Sequence, residues 1–281
     1  MRINENCAEC LLGKQRRLTS DEKYLGEIKE LLDNRGEDDS GPYMVYLFNQ
    51  VYERYFGARP SYREIKKKYN DLVLSMEDTF REKIEASDNP VETALLYARV
   101  GNYIDFGAMR DVDEETFLRL FEEAEWSEHD RVTVASFLRQ CGSAEKFLLL
   151  ADNCGEIVLD KLFIEQLKKA YPQLDVQVMV RGGEALNDAT CEDACYVGID
   201  RVARVISSGL PITGTVYGKL PEEARKAMDD ADVILSKGQG NYECLNNQGK
   251  HIFYSFLCKC DLFTGRFKVP RLTGMFVEEQ P

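Results

Sequence analysis

Histidine is nearly missing from this chain: only His129 and His251 occur in 281 residues. A histidine-rich metal centre or a conventional Ser-His-Asp triad therefore has little material to work with. No Gly-x-Ser-x-Gly elbow and no Walker-type loop occurs, and Glu128-His129 opens no His-Glu-x-x-His motif. Cations are in deficit, 36 Lys and Arg against 49 Asp and Glu, for a formal charge of −13. Nucleic acid and anionic membranes both need clustered cations, so neither partner is expected. An anionic substrate could bind only where a metal or a few basic side chains reverse the local field. No apolar run approaches the roughly 20 residues that span a bilayer. Met1 to Cys7 has no apolar core of a signal peptide. Nine cysteines, an odd number, without an export signal point to reduced thiols in the cytoplasm.

What is present is ordinary for a globular protein, 44% hydrophobic and 30% charged, at a length that suits one or two domains. The texture changes near Ser143. Residues 1–143 read as a helical domain, with apolar residues at three- and four-residue steps over Asp21–Leu32, Met44–Phe56 and Ser61–Ala86. Pro60 and Pro90 sit in apparent first turns, the latter after the cap-type Asn89. Two more helices fit Glu114–Ala124 and Ser127–Gln140. Glu37 to Pro42 reads as a loop.

Residues 144–281 alternate short apolar runs with helical segments. Strands fit Lys146–Ala151, Asp175–Val180, Arg204–Ser207, Asp232–Ser236 and His251–Leu257. Helices fit Ile157–Ala170, Ala189–Val197 and Glu222–Ala231, with a shorter one after Asn241. That alternation predicts an α/β fold on a mostly parallel sheet with right-handed crossovers, beside the all-α N-terminal domain.

The most telling stretch is Lys146-Phe-Leu-Leu-Leu-Ala-Asp152-Asn153-Cys-Gly155-Glu156. A wholly apolar run reads as a strand buried on both faces, and ligands of open α/β sheets bind beyond the carboxyl ends of the strands. A carboxylate and an amide placed there are hard oxygen donors, suited to Mg²⁺ or Mn²⁺ rather than zinc. The other strand ends deliver Arg181-Gly182-Gly183 leading to Asn187-Asp188, then Ser207-Ser208-Gly209, then Ser236-Lys237-Gly238-Gln239-Gly240-Asn241. Together these suggest a metal plus a phosphate. Each has a plainer reading. Asp152, Asn153 and Asp188 could cap helices, Glu156 could serve a helix dipole, and Lys237 could be a solvated lysine.

Ala151-Asp152-Asn153-Cys-Gly155-Glu156, Leu186-Asn187-Asp188-Ala-Thr190 and Ser236-Lys237-Gly238-Gln-Gly-Asn241 together resemble the metal-dependent damage-control phosphatases, formerly a domain-of-unknown-function family. The resemblance extends to Gly101-Asn102-Tyr-Ile-Asp105-Phe-Gly107, to Cys7-Ala-Glu-Cys10 and to Leu257-Cys-Lys259-Cys260. It covers nearly the whole chain, and the N-terminal Cys-x-x-Cys is similar to the short, prokaryotic-type branch. What it implies is a three-layer α/β/α domain with the all-α N-terminal domain over its active edge, and hydrolysis of phosphate monoesters of small metabolites, damaged or surplus ones such as sugar phosphates. One divalent cation (Mn, Mg, Co or Ni) would sit on Asp152, Asn153 and Asp188. Lys237 would contact the phosphate, while Asn102 and Asp105 close the pocket. Catalysis would fall to Asp152, Asp188 and Lys237, and substrate binding to Asn102, Asp105, Arg181, Asn187, Lys237, Gly238 and Asn241.

Two other readings stay open. A methyltransferase using S-adenosylmethionine shares the doubly wound sheet, but it wants a Gly-rich first loop and an acidic end to the second strand. This chain has Asp-Asn-Cys-Gly and Arg181 there. A non-catalytic module for phosphorylated ligands would keep the same site without turnover. The thiols admit three uses. Cys7, Cys10, Cys258 and Cys260 could bind a metal, pack as free thiols or act in redox chemistry. Cys191 and Cys195, four apart, read as small core residues.

Overall fold

The structure, a computed structural model, describes residues 3–37, 39–104 and 114–281. Eight helices precede the first strand: α1 (Glu5–Leu18), α2 (Glu22–Asp33), α3 (Gly41–Phe56), α4 (Arg63–Ser75), α5 (Glu77–Glu85), α6 (Pro90–Val100), α7 (Glu114–Glu122) and α8 (Glu128–Ser143). Their starts follow local chemistry. Asn4, Asp21, Ser40, Asn89 and Ser127 each accept a first-turn backbone N–H at the N-cap. The expected helix over Ser61–Ala86 is two helices, broken at Met76. Its start is also later, because Ser61 Oγ and the Tyr62 N–H are both engaged by Glu184 of the other half.

The second half supplies β1 (Lys146–Leu150), α9 (Glu156–Ala170), β2 (Asp175–Val180), α10 (Cys191–Val197), β3 (Arg204–Ser207), α11 (Glu222–Asp230), β4 (Val233–Lys237), α12 (Gln239–Leu245), β5 (Ile252–Leu257), α13 (Asp261–Phe267) and β6 (Gly274–Glu279). The sheet runs β3-β2-β1-β4-β5-β6. Neighbours from β3 to β5 are parallel, and β6 closes the edge antiparallel to β5. The chain leaves β1 towards β2 and β3, then returns to lay β4 on β1's other side. The carboxyl ends of β1 and β4 therefore flank the topological switch point, where the ligand crevice of such a sheet lies.

The helical half is not a separate core. Residues from Tyr69 to Cys141 join β1, α9 and β2 in one apolar cluster, in which Phe137 stacks edge-on against Phe147, Phe253 and Phe276. The boundary near 143 marks a change of secondary structure and no break in packing. Only α1 to α3 keep a small cluster of their own, around Tyr24, Ile28 and Phe48. Lys66–Asp193 at 2.6 Å and Lys161–Glu77 at 2.8 Å add largely buried ion pairs across the two halves. Cys191 and Cys195 are exposed rather than core, because α10 turns Ala194 and Val197 inward. Among the described residues, no helix is long and apolar enough to cross a membrane.

Candidate active site

β1 ends at Leu150, and the chain then makes a tight step at Asp152-Asn153-Cys154 before α9. Gly155 holds the N-cap of α9 at φ +80°, with no side-chain cap. A methyl there would stand 3.0 Å from Ile104 and 3.2 Å from the Tyr69 carbonyl. The plain reading of Asp152 and Asn153 as caps therefore fails. That of Asp188 fails too, since Thr190 and Asp193 form the capping box of α10.

Residues 187–189 instead run antiparallel beside residues 152–154. The Ala189 N–H donates to the Asp152 carbonyl at 2.7 Å and the Cys154 N–H to the Asn187 carbonyl at 2.8 Å, pairing Asn153 with Asp188. The three oxygen-bearing side chains expected to share one cation are thus neighbours by backbone pairing, and all three are buried.

Around them lies a closed polar network. Asp152 Oδ2 accepts from the amides of Asn102 (3.0 Å) and Asn153 (2.7 Å). The Arg181 guanidinium bridges the two aspartates, with Nε to Asp188 at 2.6 Å and Nη2 to Asp152 at 3.3 Å. Its Nη1 donates to Asn241 Oδ1 at 3.0 Å. Burial works against that charge, but Asp188 and Asp152 outweigh it and hold Arg181 firmly protonated. Asn187 Nδ2 donates to Asn153 Oδ1 at 3.0 Å. Asn241 donates to the carbonyls of Lys237 and Ala151, so it braces Arg181 and the strand ends.

Lys237 stands apart from its expected role. It is fully buried, and its ammonium donates to Glu156 Oε1 (2.6 Å), Asp160 Oδ1 (2.7 Å) and the Ala98 carbonyl (3.0 Å). An ammonium has three protons, and all three are taken. It is neither a solvated lysine nor a phosphate contact in this geometry. The Gly238 N–H is likewise spent, on the Ser255 carbonyl. What Gly238 contributes is room, for a Cβ would fall 2.0 Å from an oxygen of Asp152. Asn102 lies where expected, whereas Asp105 falls outside the described residues.

Among the described residues, Asp152, Glu156, Asp160 and Asp188 are buried in one network with Arg181 and Lys237. A buried site meets such a concentration of carboxylates with protons or cations. Burial first, then Glu156, raise the Asp152 carboxyl, with Arg181 and Lys259 opposing. Burial pushes Asp160 up to about 7, against Lys237 and with help from Glu156. Asp160 Oδ2 has no partner, as suits a proton. The donor set fits a hard divalent cation by charge and by chemistry. Asp152 Oδ1 and Asn153 Oδ1 each take one hydrogen bond here and have further acceptor capacity. Among the described residues, no three His, Cys, Asp or Glu side chains form a ready metal cage, so the set depends on the Asn153 amide.

A pH prediction follows. Because Asp160 binds its proton more tightly folded than unfolded, its stabilising contribution is complete below about pH 4 and is lost as pH rises through about 7. In chelator, urea unfolding at pH 4.5 and 8 should show wild type losing on the order of 3 to 4 kcal/mol relative to Asp160→Asn. A difference of the opposite sign would remove the buried proton.

Three residues escaped the sequence reading of the site, Asp160 among them. Glu156 looked like a dipole residue, but its carboxylate holds Lys237, Asn102 and Asn153 together. Lys259, after β5, is half-buried, its N–H donates to Gln239 Oε1 at 3.0 Å, and its charge is felt at Asp152. Its signal lay in position, just past the carboxyl end of β5, beside the strand that carries Lys237. The thiols are all free. Cys7 lies within electrostatic reach of Cys10 and Cys260, so the two ends of the chain do meet.

Comparison with known proteins finds relatives along nearly the whole chain. A damage-control phosphatase from Archaeoglobus fulgidus is 32% identical over 273 residues, covering 93% of each chain. One from Pyrococcus horikoshii is 26% identical over 285 residues, covering 96% of each. The crystal structure of a DUF89 family protein from P. horikoshii shares the fold, with a TM-score of 0.79 at 24% identity over 99% of both chains. The family model described as the damage-control phosphatase ARMT1-like domain matches residues 3–273, and the chain belongs to that family.

Proposed function

We propose that this protein hydrolyses phosphate monoesters of small metabolites, sugar phosphates among them, with one divalent cation held by Asp152, Asn153 and Asp188. The observation that carries this reading is the pairing of Asn153 with Asp188 beside Asp152, in a buried network rich in carboxylates. A bound Mg²⁺, Mn²⁺, Co²⁺ or Ni²⁺ supplies charge to the phosphoryl oxygens and acidifies a water. The protein's own groups do the rest. Arg181 holds the two aspartates in fixed orientation, so little reorganisation is needed as charge develops. Asp152, whose carboxyl burial raises above its ordinary range, is placed to take a proton. Lys259, half-buried just past β5 with its charge felt at Asp152, is the cation we assign to the non-bridging oxygens.

The test is a panel of phosphorylated metabolites and an aryl phosphate with each cation. Release of inorganic phosphate that chelator abolishes supports the reading. Tight ligand binding without release would point to a binding module instead. Lys259→Ala should raise KM about 10- to 100-fold, the worth of one charge-assisted hydrogen bond, with a smaller change in kcat. An unchanged KM and unchanged inhibition by phosphate would remove Lys259 from the site.

A further inference from the structure

We propose that Lys237 is a positioning residue that acts through Glu156 on the amides of Asn102 and Asn153, and so sets the site's affinity for its cation rather than for phosphate. The inference deepens the reading above and rests on it.

Lys237 and Glu156 are both fully buried and lie 2.6 Å apart. The ammonium also has Asp160 and the Ala98 carbonyl, which belongs to the last turn of α6. Swinging it towards a phosphate would abandon two buried carboxylates, a far larger cost than one phosphate contact returns. The far oxygen of Glu156, Oε2, accepts from Asn102 Nδ2 at 2.8 Å, Asn153 Nδ2 at 2.9 Å and the Asn153 N–H at 3.4 Å.

This is a device for choosing amide orientation. An asparagine amide has a donor end and an acceptor end, and only the oxygen can bind a cation. With Asn153 Nδ2 held by Glu156 and Asp152, Oδ1 must face the other way, towards Asn187 and Asp188. Asn102 is set in the same manner, its amide nitrogen shared between Asp152 and Glu156. Lys237 keeps Glu156 in place. Outer partners of metal ligands commonly control affinity by this route.

The experiment measures Mn²⁺ binding by calorimetry for wild type, Lys237→Met, Glu156→Gln and the double variant. It also measures inhibition by inorganic phosphate at saturating Mn²⁺, and thermal unfolding. Each single variant should weaken Mn²⁺ binding about 10- to 100-fold. The double should be no weaker than the worse single, because both act through one carboxylate. Phosphate inhibition should move less than about threefold, within the scatter of a group not touching the anion. Lys237→Met with normal Mn²⁺ binding and phosphate inhibition lost would overturn the inference and restore a phosphate contact. If Lys237→Met does not fold, Glu156→Gln, which preserves shape, decides alone, and wild-type Mn²⁺ affinity in it would overturn the inference. Wild-type protein that binds no Mn²⁺ removes this inference and the proposed function together. Wild type that binds Mn²⁺ and releases phosphate, with both variants binding equally well, removes this one only.

Discussion

Asp152→Ala and Asp188→Ala should each lower cation-dependent phosphate release by at least about 10³-fold, since a metal's charge stabilisation is worth several kcal/mol. Circular dichroism should show the fold retained in both, because neither side chain caps a helix or fills the apolar core. The two should differ in stability when the cation is stripped. Asp188 is the 2.6 Å partner of the Arg181 Nε, so its loss leaves a buried cation poorly compensated and should cost on the order of 3 kcal/mol. Burial and Glu156 both disfavour the Asp152 carboxylate, so Asp152→Ala should melt no lower than wild type in chelator. Added Mn²⁺ should raise the melting temperature of wild type and of neither variant. Full activity in either variant would exclude that residue from the site.

Gly238→Ala should be nearly as severe, although it removes no functional group. Gly238 sits at φ +83°, ψ 153°, a conformation open almost only to glycine, and strain there costs of order 1–3 kcal/mol. The larger effect is steric. The new methyl would lie 2.0 Å from one oxygen of Asp152 and 2.2 Å from its carboxyl carbon. Displacing that carboxylate breaks its hydrogen bonds to Asn102 and Asn153 together. Mn²⁺ affinity and phosphate release should both fall about 100-fold or more, at the upper end of what lost positioning costs. Wild-type Mn²⁺ affinity in folded Gly238→Ala would show that Asp152 is not where the cation binds.

Five of the six strands were legible, β1 from an unbroken apolar run that reads as buried on both faces and the others from short apolar segments alternating with helical ones. The sixth was not. Gly274–Glu279 mixes Met, Phe and Val with two glutamates, and its place at the edge depends on pairing with β5 from the other side. Within the site, Asp152 and Asn153 could be singled out from a strand end and Asp188 from the segment that follows β2, but their joining as one set came from the family resemblance. Asp160 could not, lying mid-helix in α9 among Leu159, Lys161 and Leu162, where a polar residue reads as a solvent face. It is fully buried because α6 packs over that face and brings the Ala98 carbonyl to Lys237.

The one-dimensional pattern by itself determined the parallel sheet, the edge at which polar residues gather and the hard-oxygen character of that edge, since each depends on burial period and residue type. Which cation faces a ligand and which is locked away was decided only by folding. A lysine's three protons go to whichever carboxylates surround it, and those carboxylates come from α9, 77 and 81 positions earlier in the chain.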